Sequence, residues 1–152
     1  MKLLDTNVLV HAANRSSPLQ PLAARLLERG LATRGRYCIA PQNLVEFSAV
    51  VSRPRFIQLP LPHADLVRMT RLLYRSRSLM KIYPKRATVM RTIDEGAALG
   101  LTGPRWYDLF LAVTMREAGV QTIVTEDFAH FSGFAFLKVL HIQEASEQEP
   151  DE

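Results

Sequence analysis

Apolar positions along the chain alternate between short continuous runs and longer stripes of helical period. Residues 2–4 form a brief apolar run that stops at Asp5, the signature of a short buried strand. Thr6 to about Ala13 then reads as a helix or turn leaving that strand. Asn14-Arg-Ser-Ser-Pro18 is a loop by its turn residues. Leu19, Leu22, Ala23, Leu26 and Leu27 recur at helical spacing, which predicts a helix from Pro18 with Gly30 as its stop. Tyr37–Ala40 reads as a second strand. Pro41 suits a first helical position and opens a helix to about Ser52. Residues 53–62, with three prolines, form a loop. A further helix runs from about His63 to Arg77, with Leu66, Met69 and Leu73 on one face and Arg68, Arg71 and Arg75 on another.

The second half repeats the alternation. Leu79–Tyr83 reads as a short strand. Lys85–Gly100 reads as a helix, weakened by Gly96 in its interior. Trp106–Ala118 is a strongly apolar helix with Gly119 beyond its end. Thr122–Thr125 and Phe136–Ile142 are the last two expected strands. Short apolar strands alternating with helices predict an α/β fold with a parallel sheet. The polar, acidic segment from Glu144 predicts a disordered tail. The expected division is therefore a domain over 1–143 and a tail over 144–152.

Composition narrows this picture. At 152 residues, 47% of them hydrophobic, the chain suits one domain with a real core. There is no apolar run long enough to span a membrane. The start lacks the pattern of a secretory signal. A lone cysteine, Cys38, excludes an internal disulfide and a cysteine metal cage, and reads as a small buried strand residue. These features fit the cytoplasm. The net charge of +4 hides an asymmetry: the last nine residues carry five acids and no base. Residues 53–91 carry ten Lys and Arg against a single acid, Asp65. Such a block suggests a polyanionic partner, nucleic acid first. The Arg68, Arg71, Arg75 stripe is a candidate contact to RNA phosphates, against the alternative of a merely solvated helix face.

Four acids do not sit in polar surroundings. Asp5 ends an apolar strand, Glu46 lies within Leu-Val-Glu-Phe, Asp108 within Trp-Tyr-Asp-Leu-Phe-Leu, and Asp127 follows Ile-Val-Thr. Each alone has an ordinary reading: Asp5, Asp108 and Asp127 could cap the helices that follow them. Four together, two at strand ends and two on helices, meet at one sheet edge in a parallel α/β fold. Gathered there, they would repel strongly without a cation. Carboxylates in that number suit Mg²⁺ or Mn²⁺, which activate water and stabilise charge on a phosphoryl group. The four histidines have no metal-ligand spacing, and His130 reads as an ordinary loop residue, with a role in binding RNA as the alternative. Asp5-Thr6-Asn7 lacks the second Asp expected of a phosphoaspartyl enzyme, and no glycine-rich phosphate loop is present.

Four segments resemble a known family: Leu-Leu-Asp5-Thr6-Asn7-Val-Leu, Asn-Leu-Val-Glu46-Phe, Gly103-Pro-Arg-Trp-Tyr-Asp108-Leu-Phe-Leu-Ala and Ile-Val-Thr125-Glu126-Asp127-Phe. In this order they are similar to PIN-domain ribonucleases, of the VapC-like toxin branch of type II toxin–antitoxin pairs. The resemblance covers nearly the whole chain to about Ile142. It implies a three-layer α/β/α fold around a mainly parallel sheet of four to five strands. It also implies a Mg²⁺- or Mn²⁺-dependent endoribonuclease with Asp5, Glu46, Asp108 and Asp127 as its acidic quartet. Asp5 and Asp108 would be the main metal ligands, with Thr6, Asn7 and Thr125 supporting them. Glu46 would ligate or hold a water, and Asp127 would complete the site. The sequence Thr125-Glu126-Asp127 is compressed relative to some relatives, so Glu126 is the alternative fourth acid. The implied partners are an RNA substrate, a cognate antitoxin and a second copy in a homodimer. A different class of function is a non-catalytic regulatory or nucleic-acid-binding module that acts through an antitoxin complex.

Overall fold

The computed structural model describes residues 1–54 and 57–148. Strand β1 (Lys2–Leu4) leads into helix α1 (Thr6–Ala13) and then α2 (Gln20–Ala32). Strand β2 (Tyr37–Ile39) is followed by α3 (Pro41–Val51) and α4 (His63–Arg75). Strand β3 (Met80–Lys81), α5 (Thr88–Ala98) and α6 (Arg105–Glu117) come next. The chain ends with β4 (Thr122–Val124), α7 (Phe128–Phe131), β5 (Lys138–Leu140) and α8 (Ile142–Glu147). The five strands form one sheet in the order β3-β2-β1-β4-β5, and every pairing is parallel.

Alternation along each strand builds the layers. Leu4, Ile39 and Val124 point to one face and pack among α1, α2, α3, α4 and α8. Leu3, Cys38 and Ile123 point to the other and pack with Leu109, Ala112, Val113, Phe131 and Phe134. Both faces are covered, which is why the strands read as continuous apolar runs rather than alternating ones. Each fully buried Leu contributes about 1.5–3 kcal/mol relative to exposure. Cys38 is buried as expected, and burial pushes its thiol up to about 12. None of the described helices is long and apolar enough to cross a membrane.

The strand order reverses between β1 and β4. From β1 the chain builds outward through β2 to β3, then crosses back to lay β4 on the other side of β1. In open parallel sheets the crevice at such a reversal, beyond the carboxyl ends of the strands, is where ligands bind. Asp5 and Thr125 follow β1 and β4 directly and so stand on either side of it.

Several sequence expectations change; the strand expected over Phe136–Ile142, for one, is confined to Lys138–Leu140, and Ile142 opens α8. Gly30 does not stop α2, which continues to Ala32. A Cβ at Gly30 would stand 3.3 Å from both Tyr37 Cβ and Leu79 Cδ1, so the glycine serves close packing of α2 on the sheet. Gly96 likewise makes room: a Cβ there would overlap the Trp106 ring at 2.3 Å. The segment expected to be a disordered tail from Glu144 is helical as far as Glu147. Ala145 and Ser146 are buried and α8 lies against α2. Residues 149–152 of that expected tail lie outside the described residues. Gly119 does end α6, in a left-handed conformation (φ 72°) that an L side chain adopts only at a cost.

Candidate functional site

Asp5 is the N-cap of α1, and its Oδ1 accepts from the Thr6 N–H at 2.7 Å. A short strand that turns at once into a helix leaves that amide without an intrahelical partner, and an Asp satisfies it. The carboxylate is nearly buried, at 6% exposure. Its Oδ2 accepts from Thr125 Oγ1 at 2.7 Å and Asn7 Nδ2 at 3.2 Å. Thr125 Oγ1 in turn accepts from the Asp127 N–H at 3.0 Å. Residues at the ends of β1 and β4 are thereby joined across the reversal point.

Asn7 completes that joint. Its Nδ2 also lies 2.8 Å from Thr125 Oγ1 and 3.1 Å from Asp127 Oδ2, while its Oδ1 accepts from the Glu126 N–H at 3.2 Å. On the other side, Thr6 Oγ1 donates to Glu46 Oε2 at 2.7 Å and accepts from Asn43 Nδ2 at 3.2 Å. Glu46 Oε1 accepts from Gln42 Nε2 at 2.8 Å, and Gln42 also donates to the Tyr107 carbonyl at 3.2 Å. Asp108 comes from the first turn of α6. Asp5, Glu46, Asp108 and Asp127 all line one cavity of about 330 Å³, together with Thr6, Asn7 and apolar walls from Val10, Val50 and Phe131.

The electrostatics follow from burial and convergence. Desolvation raises the Asp5 carboxyl to about 6 from its ordinary value of 3.8. Hydrogen bonds from Thr125 and Thr6 oppose the rise, and the charges of Glu46 and Asp127 add to it. Asp108 is raised as well, first by burial, against the pull of His130 and Arg105. Asp108 Oδ2 is buried without a hydrogen bond, although His130 Nδ1 approaches to 3.3 Å and Arg105 Nη1 to 3.8 Å. An unsatisfied carboxylate oxygen is costly unless something else meets it.

All donors around the cavity are oxygens, the chemistry that hard divalent cations take. Among the described residues no group of three or more His, Cys, Asp or Glu side chains is placed to hold one ion directly. Mg²⁺ is commonly held by one or two carboxylates and keeps several waters. A half-buried set with one orphaned oxygen and room for solvent fits an ion bound that way.

The structure separates the two adjacent acids 126 and 127. The Glu126 carboxylate turns away from the cavity, accepting from the Ile142 N–H at 2.9 Å and lying 3.8 Å from His141 Nδ1. Asp127 faces Asn7 and lines the cavity. Arg68, Arg71 and Arg75 line a separate concavity, distinct from the carboxylate cavity. Two participants, Asn43 and Gln42, were not singled out in the sequence, and a third, His130, was read otherwise. Asn43 is fully buried, with its Oδ1 on the Ala40 N–H at 2.8 Å. An Asn in the first turn of an otherwise apolar helix, three residues before Glu46, was the available signal. Gln42, one turn before Glu46, carried a similar one. His130, read as a loop residue, lies instead in α7 and stands beside Asp108.

Comparison with known proteins follows the same lines. The PIN-domain signature matches residues 2–137. Ribonuclease VapC24 of Mycobacterium tuberculosis is 28% identical over 140 residues, covering 91% of this chain and 94% of that protein. Among solved structures, Mycobacterium tuberculosis VapC20, a sarcin-ricin loop cleaving toxin, superposes with a TM-score of 0.68 at 13% identity. It covers 88% of this chain and 95% of its own. VapBC2 from Rickettsia felis, bound to a DNA fragment from its promoter, gives a TM-score of 0.60 at 20% identity, covering 92% and 97%. At these identities the solved structures speak to the fold alone.

Proposed function

The chain belongs to the PIN-domain family, and on that premise we propose that it is the metal-dependent endoribonuclease toxin of a type II toxin–antitoxin pair. One observation carries the reading: Asp5, Glu46, Asp108 and Asp127, spread over 123 positions of sequence, line a single cavity at the reversal point of the sheet. Its likeness to a ribonuclease over nine-tenths of the chain supports the substrate class.

In this reading Asp5 and Asp108 hold Mg²⁺ or Mn²⁺, Glu46 ligates it or holds a water, and Asp127 completes the set. Such an ion supplies an activated water and offsets negative charge on the phosphodiester. The chain's own work is orientation. Thr125 and the Thr6 amide aim the Asp5 carboxylate, Asn7 spans Asp5 and Asp127, and Thr6 with Gln42 fixes both oxygens of Glu46. Side chains locked in this way lose little freedom when substrate arrives. The reading puts the protein in the cytoplasm with RNA as substrate.

It also gives the chain two protein partners, an antitoxin and a second copy of itself. An exposed apolar face supports a protein contact beside the cavity. Val89, Met90, Ile93 and Tyr107 are exposed on α5 and α6, and Val45 lies one turn on from Gln42. A groove of about 440 Å³ is lined by Val89, Ile93 and Tyr107 of these, with Trp106 and Phe110. Apolar patches of this kind on a folded domain mark interaction sites.

RNA cleavage by the purified protein, with Mn²⁺ and with EDTA, tests the activity. Cleavage should need the metal and should be lost in Asp5→Asn and Asp108→Asn. Full activity in EDTA, or in both variants, would overturn the reading. Tight antitoxin binding without metal-dependent turnover would favour a regulatory module instead.

A further inference from the structure

The carboxylate cavity leaves most of the chain's cations unused. Part of the basic block gathers at the opposite edge of the sheet, where strands begin. Helix α4 ends at Arg75 and the chain turns there to enter β3, so Arg75 and Arg77 belong to that edge. Arg34 reaches it from the turn that enters β2. The Gly35 N–H donates to the Ser78 carbonyl at 3.2 Å, which ties the two turns together.

Two concavities meet at Ser76. One, of about 440 Å³, is lined by Arg34, Arg77 and Lys81. The other, of about 500 Å³, is lined by Arg68, Arg71 and Arg75. Among the described residues no Asp or Glu lines either one. Lys81 is committed to structure: its Nζ donates to the carbonyls of Leu73 (3.3 Å), Leu79 (2.7 Å) and Ser76. It therefore holds the end of α4 in shape and adds charge at the helix's negative pole. Arg68 meets Asp65 at 2.5 Å. Arg34, Arg71, Arg75 and Arg77 pair with no carboxylate among the described residues. Arg71 and Arg75 stand four apart on one helix, an arrangement of like charges that costs stability.

We infer that this edge is a second RNA-binding site, which grips the backbone of a structured RNA on the far side of the molecule from the bond to be cut. The inference rests on the ribonuclease reading of the carboxylate cavity. Guanidinium groups present planar forks that match phosphate oxygens in pairs. Arg71 and Arg75 recur after about 6 Å along the helix axis, one turn apart on the same face. The strands between the edges add about 10 Å of separation. At about 3.4 Å per stacked nucleotide, an oligonucleotide of one or two nucleotides held in the cavity ends short of the arginines, whereas an RNA with a folded stem reaches them.

Binding in EDTA, where no cleavage is expected, isolates the site. The full chain and Arg71→Ala/Arg75→Ala/Arg77→Ala are titrated with a stem–loop RNA and with a short single-stranded oligonucleotide. The stem–loop Kd should rise by about tenfold or more at 0.1 M salt in the variant, and its log–log salt slope should flatten by about two to three. Oligonucleotide affinity should stay within about twofold. The charge-conserving Lys triple should keep the wild-type salt slope, which guards against a folding defect. Equal stem–loop affinity and slope in the Ala triple and wild type overturns the inference, as does an equal loss on both RNAs. So does unchanged RNA affinity with a weakened antitoxin complex, which would make an acidic protein segment the occupant. If wild type with Mn²⁺ cuts neither RNA, the reading of the cavity fails, and the binding difference still decides this one.

Discussion

The two edges of the sheet are both built from short turns, yet they treat charge in opposite ways. At the carboxyl edge, acids are pulled inward: both oxygens of Asp5 and of Glu46 are met by a neighbouring hydroxyl, amide or backbone N–H, while Asp108 Oδ2 is buried unmet. At the amino edge, arginines stand outward with few partners, around open concavities. Burial makes the first edge precise and costly, because charges out of water must be oriented and compensated. Exposure makes the second cheap and adaptable, because solvent screens each charge. Chemistry on a phosphodiester needs the former, and holding a long polyanion needs only the latter.

Substitutions should sort the edges by size of effect. The largest effect belongs to Asp5→Asn and Asp108→Asn, which should each lower the RNA cleavage rate by about three orders of magnitude. Asn43→Ala comes next. It leaves the buried Ala40 N–H and Thr6 Oγ1 short of a partner and should cost about 2–3 kcal/mol in urea unfolding. Cleavage should fall with it, since Thr6 carries Glu46. A full-strength fold in Asn43→Ala would mean that the network is not what stiffens this edge.

The same Asp5→Asn change should act in reverse on stability. The folded Asp5 carboxyl, at about 6, lies above its ordinary 3.8, so the fold disfavours its ionised form. That penalty is absent below pH 3.8, grows between 3.8 and 6, and is complete above 6. Metal-free Asp5→Asn should therefore be more stable than wild type by about 3 kcal/mol at pH 7.5, with the gap closing toward pH 4. Equal denaturation midpoints at both pH values in EDTA would contradict it. The smallest effect should be at the other edge: Arg75→Ala should move the unfolding free energy by less than about 0.5 kcal/mol. A large loss there would show that the arginines are structural and would erase the contrast.

Much of this was legible along the chain. Strand and helix periods located the principal elements, because both sheet faces are buried and the helices are amphipathic. The acids at 5, 46, 108 and 127 stood out because each interrupts an apolar segment. Where reading failed, the cause was a distant contact. Gly30 looked like a helix stop, but its role depends on Tyr37 and Leu79 packing against it. Residues 144–147 looked like a polar tail, yet Ala145 and Ser146 find a buried place against α2.

The sequence by itself determined the parallel α/β plan, the family and the acids offered to the site, since these follow from local periodicity and from short motifs. Only the tertiary structure shows which of Glu126 and Asp127 lines the cavity. The difference lies in a backbone N–H sixteen residues away: Ile142 takes the Glu126 carboxylate out of the cavity, and Asn7 draws Asp127 toward it. It also decided that the arginine stripe lines a concavity separate from the acids. A helical stripe records which residues share a face, but only the docking of α4 ahead of β3 sets where that face lies.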